Sequence, residues 1–340
     1  MCKRVYVIII IALISCYMGF TNATPVLNLH YEDLLHKDAW LSNRDGYDRA
    51  RAFSNRYAIY AVYSANVYDE STDIYPEIFL PTNEFNEEVL HFKGDIEGTG
   101  FRGKAWLRYR YGLSQPHKPI LVIAFRGTEN LTDYLLGNFV VFDYGGEDQF
   151  KSAKKYTSLV IKHLEDRGLE YSKIVFTGHS LGGGLAEFMQ RITNDSEAVV
   201  FMPSPNNGFL YSLTSGDERK NMNTTRIYEK GEILNFLRYL VSHDYTADPW
   251  PDSDDEIKTA WINFFKWSLF ADHGIRDFAM KMLLVADLEG NCSARNILEN
   301  IKKEYKLPMQ LNKNERHRLA CADGNNEVEN QLYPLREKKQ

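Results

Sequence analysis

The run Gly178-His179-Ser180-Leu181-Gly182 constrains this chain more than any other. It directly follows a short apolar, β-rich segment, Ile174-Val-Phe-Thr177. It opens a stretch over 183–191 in which Leu185, Phe188 and Met189 recur at helical spacing. A serine on a tight turn between a strand and a helix is the pattern of a nucleophile elbow. The glycines on either side let neighbouring backbone approach where a Cβ would collide. The start of the helix puts free N–H groups and the positive end of its dipole beside the hydroxyl. Bare Gly-x-Ser-x-Gly is a weak signal, since composition alone produces it in roughly one chain in ten of this length. The strand before it and the helix after it make it specific.

The surrounding chain is of the same kind. Ile120-Leu-Val-Ile-Ala-Phe125 and Ala198-Val-Val-Phe-Met202 are apolar on both faces, as strands buried in a parallel sheet are. Residues 149–166 predict a helix with Phe150, Ala153, Tyr156, Leu159, Val160 and Leu164 on one face. Residues 47–68 predict another, through Tyr47, Ala50, Phe53, Tyr57, Tyr60, Ala61 and Ser64. Residues 103–111 alternate as a strand before a turn region over 112–119, Arg226-Ile-Tyr-Glu229 adds a further strand, and a helix is expected near 293–305. Strand–helix alternation of this sort predicts an α/β fold with a mostly parallel central sheet and helices on both faces.

The amino terminus reads as a targeting segment. Lys3 and Arg4 precede an apolar run from Val5 to Ile14 and, less purely, to Phe20, and Thr21-Asn22-Ala23 is a small-x-small cleavage pattern. We read 1–23 as a secretory signal peptide, 24–290 as the catalytic body and 291–340 as a polar carboxy-terminal extension. This predicts a secreted or extracytoplasmic protein. The alternatives are an uncleaved anchor, for which the run is short, and a lipoprotein, because Leu13-Ile14-Ser15-Cys16 resembles a bacterial lipobox. Cleavage after Ala23 leaves Cys292 and Cys321, which are expected to pair and tie down the tail. Asn130, Asn194, Asn223 and Asn291 begin glycosylation sequons. With 40 Lys and Arg against 46 Asp and Glu, the net charge of −6 and the lack of a basic block argue against nucleic acid as a partner. A mean hydropathy of −0.41 excludes a polytopic membrane protein.

A serine needs a base, and the base needs an acid to orient it. In an elbow enzyme both follow the serine in the chain. His179 adjoins Ser180, so its side chain points elsewhere. Of the downstream histidines, His317 lies in a basic polar stretch, His273 lies between apolar segments, and His243 sits in Ser-His-Asp-Tyr, a plausible loop.

Val175-Phe-Thr-Gly-His-Ser-Leu-Gly-Gly-Gly-Leu-Ala186, preceded by Ile123-Ala-Phe-Arg-Gly-Thr128, resembles the class 3 lipases, the fungal-type triacylglycerol lipase family, over roughly residues 47–280. The helix Tyr57-Ala-Ile-Tyr-Ala-Val-Tyr63 is similar to that family's leading helix. The resemblance implies an α/β-hydrolase fold and metal-free hydrolysis of lipid carboxylic esters by a Ser-Asp-His triad. It makes Ser180 the nucleophile, and the backbone N–H groups of Thr128 and Leu181 the oxyanion donors. It matches His273-Gly-Ile to the family's histidine, with His243 second. The acid departs from the pattern. Glu232, in Arg226-Ile-Tyr-Glu-Lys-Gly-Glu-Ile-Leu234, stands where the family has Asp, and Asp244 and Asp248 remain alternatives. Glutamate is chemically competent there, but its extra methylene asks for a different backbone position.

Residues 129–147 are rich in apolar side chains (Leu131, Tyr134, Leu135, Leu136, Phe139, Val140, Val141 and Phe142), and by the same resemblance form a candidate lid; a core segment is the plainer reading. The expected partner is a lipid substrate or a lipid–water interface. No cofactor is implied, and no His/Cys/Asp cluster has a recognisable metal spacing. Triacylglycerol lipase and phospholipase A1 readings both fit. The irregular acid keeps open an inactive lipid-binding or interaction protein on the same scaffold, and an acyltransferase or non-lipid esterase is a milder variant.

Overall fold

The computed structural model describes residues 44–68, 86–92, 100–108, 118–127, 147–208, 222–229, 232, 256–262 and 274–305. Its elements in chain order are α1 (Arg44–Asn66), β1 (Asn86–Phe92), β2 (Gly103–Arg108), β3 (Ile120–Phe125), α2 (Glu147–Asp166), β4 (Ile174–His179), α3 (Leu181–Ile192), β5 (Ser196–Phe201), β6 (Asn223–Glu229), β7 (Glu256–Ile262), α4 (Ile275–Leu288) and α5 (Cys292–Tyr305). The candidate lid, apart from Glu147 at the start of α2, lies outside the described residues, as do the amino-terminal segment 1–23 and Cys321.

The seven strands form one sheet in chain order. β1–β2 and β2–β3 pair antiparallel, and every pair from β3 to β7 is parallel. This is the α/β-hydrolase arrangement expected from the sequence. The apolar runs chosen as interior strands are its centre, and β3 and β4 are buried along their whole length.

Alternation along these strands divides the core in two. Leu121, Ile123 and Phe125 of β3, with Ile174 and Phe176 of β4, pack under α2 and α3 against Phe150, Tyr156, Leu185 and Phe188. Ile120, Val122 and Ala124, with Val175, Val199 and Ile227, face α1, α4 and α5 on the other side. Helices therefore cover both faces. The parallel connections α2 and α3 take one face, and the helices from the two ends of the described chain take the other. In the segment read as a polar extension, α5 buries Ala294, Ile297, Leu298 and Ile301 in that second core.

Thr177 joins the α1 face to the sheet by buried polar contact, as Thr225 does through the Tyr57 hydroxyl. Thr177 would be an apolar position by pattern, yet its hydroxyl is fully buried and satisfied. It lies 2.6 Å from Val199 O and 2.8 Å from the hydroxyl of Ser64 on α1. The register brings the carboxyl ends of the parallel strands to one edge. Phe125 lies opposite Gly178, His179 opposite Phe201, Phe201 opposite Ile227, and Glu229 opposite Ile262. In open α/β sheets this edge is where ligands bind.

Candidate active site

Ser180 occupies the one residue between β4 and α3, with φ 56° and ψ −126°. A positive φ on a residue with a Cβ costs about 1–3 kcal/mol and persists only where the surroundings impose it. Here they do. The Ser180 N–H donates to Phe201 O at 3.2 Å, and its carbonyl accepts from Gly183 N–H at 3.0 Å, Gly184 N–H at 3.2 Å and Ser204 N–H at 2.9 Å. The hydroxyl takes no part in capping α3, so the first N–H groups of the helix are not closed off by it. The whole residue is buried, at 2% exposure.

The glycines in the motif meet the demand that predicted them. A Cβ on Gly178 would sit 2.3 Å from Gly182 O, and one on Gly182 would sit 2.1 Å from Phe125 O. Strand β4, the turn and the end of β3 are thus packed backbone to backbone. Gly127, just past β3, closes the set. A Cβ there would lie 2.6 Å from His179 O, 2.7 Å from the Tyr68 hydroxyl and 3.2 Å from Ser180 Cβ. The chain at Gly127 therefore rests directly against Ser180. Leu181 is the first residue of α3 and is buried.

Tyr68, two residues beyond α1, links these parts. Its hydroxyl accepts the Gly127 N–H at 3.0 Å and pairs with His179 Nδ1 at 3.2 Å. Its carbonyl accepts from Arg276 Nη2 at 2.8 Å, which brings the first turn of α4 to the same place. Gly274, the residue after His273, is the N-cap of that helix.

On the other side of the elbow, α3 is bolted to β6. Arg226 donates to Glu187 through Nε at 2.6 Å and Nη2 at 2.9 Å, with side-chain exposures of 5% and 2%. β6 ends at Glu229, and Glu232 follows, only 1% exposed. A glutamate so buried is uncommon unless it is partnered.

The profile of the Tle-like phospholipase domain, a phospholipase-like family, matches residues 59–238, more than half of the chain. The chain belongs to this family. The match spans the end of α1, the elbow and Glu232, and it agrees with the resemblance to lipases read from the two motifs. This phospholipase-like chain has no match among curated proteins. Among solved structures it is similar to the Lip2 lipase of Yarrowia lipolytica, at 15% identity over 64% of this chain and 78% of that one, with a TM-score of 0.38. It is similar to a lipase of Rhizopus microsporus var. chinensis at 17% identity, over 55% and 68% of the two chains, with a TM-score of 0.33. Esterase B of Lactobacillus rhamnosis is 10% identical over 78% of this chain and 99% of that one, with a TM-score of 0.35.

Of the site residues expected in the phospholipase-like domain, Ser180 and Leu181 stand together at the elbow, and Glu232 is buried just beyond β6. Thr128, His273, His243, Asp244, Asp248 and His317 lie outside the described residues. Tyr68 and the Glu187–Arg226 pair were not singled out from the sequence. An aromatic residue with a polar tip at the last position of a predicted helix was the only local sign of the first. A glutamate between the apolar pairs Leu185-Ala186 and Phe188-Met189 was the sign of the second. Among the described residues, no group of three or more His, Cys, Asp or Glu could hold a metal ion, and no helix is long and apolar enough to cross a membrane.

Proposed function

We propose that this protein hydrolyses carboxylic esters of lipids, with phospholipids as the leading substrate class, through Ser180 and an acyl-enzyme. The observation that carries the reading is the conformation of Ser180. A buried serine is held at positive φ on the carboxyl edge of a parallel sheet, and its hydroxyl is kept out of the helix cap. The family match supplies the preference for phospholipid.

In this reading His273 takes the Ser180 proton as Oγ attacks the ester carbonyl carbon. The carbonyl electrons move to oxygen, and the Leu181 and Thr128 N–H groups receive the oxyanion. Collapse expels the alcohol, lysophospholipid or glycerol moiety, which takes the proton from His273. Water, deprotonated by the same histidine, then releases the fatty acid and restores Ser180. Glu232 orients His273 and stabilises its cationic form; its burial fits that task better than a surface carboxylate would. The segment 129–147 serves as a lid that exposes its apolar side chains at a lipid surface. The protein is exported by its first 23 residues, and Cys292 pairs with Cys321.

The test is hydrolysis of phosphatidylcholine vesicles, triacylglycerol emulsion and p-nitrophenyl butyrate by wild type, Ser180→Ala and Glu232→Gln. Loss of all turnover in Ser180→Ala is expected, as is a fall in kcat of about 10²–10⁴-fold in Glu232→Gln. Wild-type rates in Ser180→Ala would refute the nucleophile. Normal kcat in Glu232→Gln would move the acid to Asp244 or Asp248. A wild type that neither turns over ester nor labels with a fluorophosphonate would mark an inactive scaffold.

A further inference from the structure

We infer that Tyr68 is a positioning residue for the oxyanion hole: its hydroxyl fixes the end of β3, and so the donor that follows it, against the nucleophile. The inference rests on the proposed role of Ser180 and extends it to a residue 112 positions earlier in the chain.

In the proposed reading the oxyanion donor on this side of the site is the backbone N–H that follows Gly127 in the chain. A strand end is held by its ladder only as far as the ladder runs, and the pairing of β3 with β4 stops at Phe125 and Gly178. Beyond it, the Arg126 N–H donates to Arg102 O at 3.0 Å on the antiparallel side. Among the described residues, Gly127 N–H reaches no backbone acceptor; it donates to the Tyr68 hydroxyl at 3.0 Å. The side-chain hydroxyl thus takes the place of the next rung of the sheet. It does so beside the reacting serine. The point where a Gly127 Cβ would sit is 2.7 Å from that hydroxyl and 3.2 Å from Ser180 Cβ.

The hydroxyl is itself held from two directions. It meets the Gly127 N–H at 3.0 Å on one side and His179 Nδ1 at 3.2 Å on the other. His179 is covalently next to Ser180, so one hydroxyl ties the two halves of the site. Behind it, the Tyr68 carbonyl accepts from Arg276 at 2.8 Å, which anchors the same residue to the first turn of α4, near His273. Donors preorganised for the developing oxyanion are worth most when they cannot drift, and a loosened one loses rate without weakening substrate binding.

The test is Tyr68→Phe in the otherwise intact protein, with Ser180→Ala alongside. The readouts are kcat and KM on p-nitrophenyl butyrate, the inhibition constant of an alkyl boronic acid that forms a tetrahedral adduct on the serine, and the thermal transition. Rates are compared well below the lower transition, so that a destabilised variant is still read as folded protein. The expected result is a fall in kcat of about tenfold or more at unchanged KM, with the boronate bound more weakly by a similar factor. A merely structural tyrosine would lower the transition and leave both kcat and boronate binding intact, and that result would overturn the inference. If Tyr68→Phe does not fold, 3-fluorotyrosine at position 68, read at about pH 6 where the phenol stays protonated, weakens the same acceptor. It is expected to lower kcat about twofold; an unchanged kcat would overturn the inference. Full turnover in Ser180→Ala would instead remove the reading of Ser180, and the role of Tyr68 with it.

Discussion

Replacing Glu187 by Leu removes one half of the buried bidentate pair that ties α3, the helix that follows Ser180, to β6. The two contacts, 2.6 and 2.9 Å long, are made by side chains 2% and 5% exposed, so solvent screens them little. Leucine fills much of the glutamate's volume, and the dominant loss is electrostatic. The Arg226 guanidinium is left in a low-dielectric interior without its counter-charge. Breaking a buried pair in this way costs about 3–5 kcal/mol, which in a domain of this size lowers the thermal transition by roughly 6–15 °C. Replacing both partners, Glu187→Leu with Arg226→Met, removes the orphaned charge together with the pair. It is expected to recover most of that stability, since buried pairs often contribute little net of desolvation. Activity should separate the two proteins from wild type differently. Both lose the fixed spacing between α3, which starts at Ser180, and β6, which leads to Glu232, so kcat stays low even where stability returns. Urea unfolding followed by far-ultraviolet circular dichroism, with esterase rates on the same preparations, measures both quantities. A single variant within about 1 kcal/mol of wild type would refute the electrostatic reasoning. So would a double variant as unstable as the single one.

Three further outcomes follow from the same contacts. Gly182→Ala places a Cβ 2.1 Å from Phe125 O, a backbone atom that cannot swing aside, so β3 and α3 must separate; a loss of about 1–3 kcal/mol and at least tenfold in kcat is expected from unfolding and kinetic measurements. Asn291 is 9% exposed, donates to Asn55 O and Oδ1 at 2.9 and 3.0 Å, and accepts the Ala294 N–H at 2.9 Å as the cap of α5. Its sequon should stay unmodified in a glycosylating host while the exposed Asn194 is open to modification, which peptide mass spectrometry would decide. Asn291→Ala should cost about 1–2 kcal/mol in the same unfolding assay, through the lost cap.

The parts of this molecule that were legible in its sequence are those whose cause is local. β3, β4 and β5 announce themselves because a strand buried on both faces must be apolar throughout. The helix α2 does so because it buries one face only, and α3, buried from Leu181 to Arg191, is marked instead by its place directly after the elbow. Even there β4 runs two residues past the apolar stretch, to His179, since Gly178 and His179 still pair with β5. β1 and β7 were missed. Both are edge strands of the sheet, and Asn86-Glu-Glu-Val-Leu-His-Phe92 and Glu256-Ile-Lys-Thr-Ala-Trp-Ile262 carry too much polar sequence to stand out. α4 was missed for the opposite reason. From Phe278 to Ala286 only Lys281 breaks a run of buried apolar residues, because α1, α5 and the sheet surround it, and an all-round apolar helix has no face to detect. The site divides in the same way. The elbow is a local device and was readable. Tyr68 gains its role from contacts with His179, Gly127 and Arg276, which are 59 to 208 residues away, and nothing in its own neighbourhood encodes them.

The strain at Ser180 explains why so much backbone converges on one residue. A positive φ at a serine costs about 1–3 kcal/mol, and a typical hydrogen bond returns only about 1 kcal/mol net. A single contact would not hold the residue there. Four do, one from the Ser180 N–H and three to its carbonyl, drawn from β5, from the loop after it and from the first turn of α3. Two of the three donors to that carbonyl, Gly183 and Gly184, belong to the helix that starts directly after Ser180. The contacts that impose the strained turn are therefore the contacts that fix the start of α3, so Ser180, the proposed nucleophile, and the first N–H groups of the helix cannot move independently. That coupling is what a site needs if negative charge is to develop one bond away from the serine and be met without rearrangement. It also accounts for the glycines. At Gly178, Gly182 and Gly127 it is approaching backbone, in two cases a carbonyl oxygen of a neighbouring strand end, that occupies the space a side chain would need. The motif records how closely three strand ends and one helix must approach for a single hydroxyl to be held under strain at the open edge of the sheet.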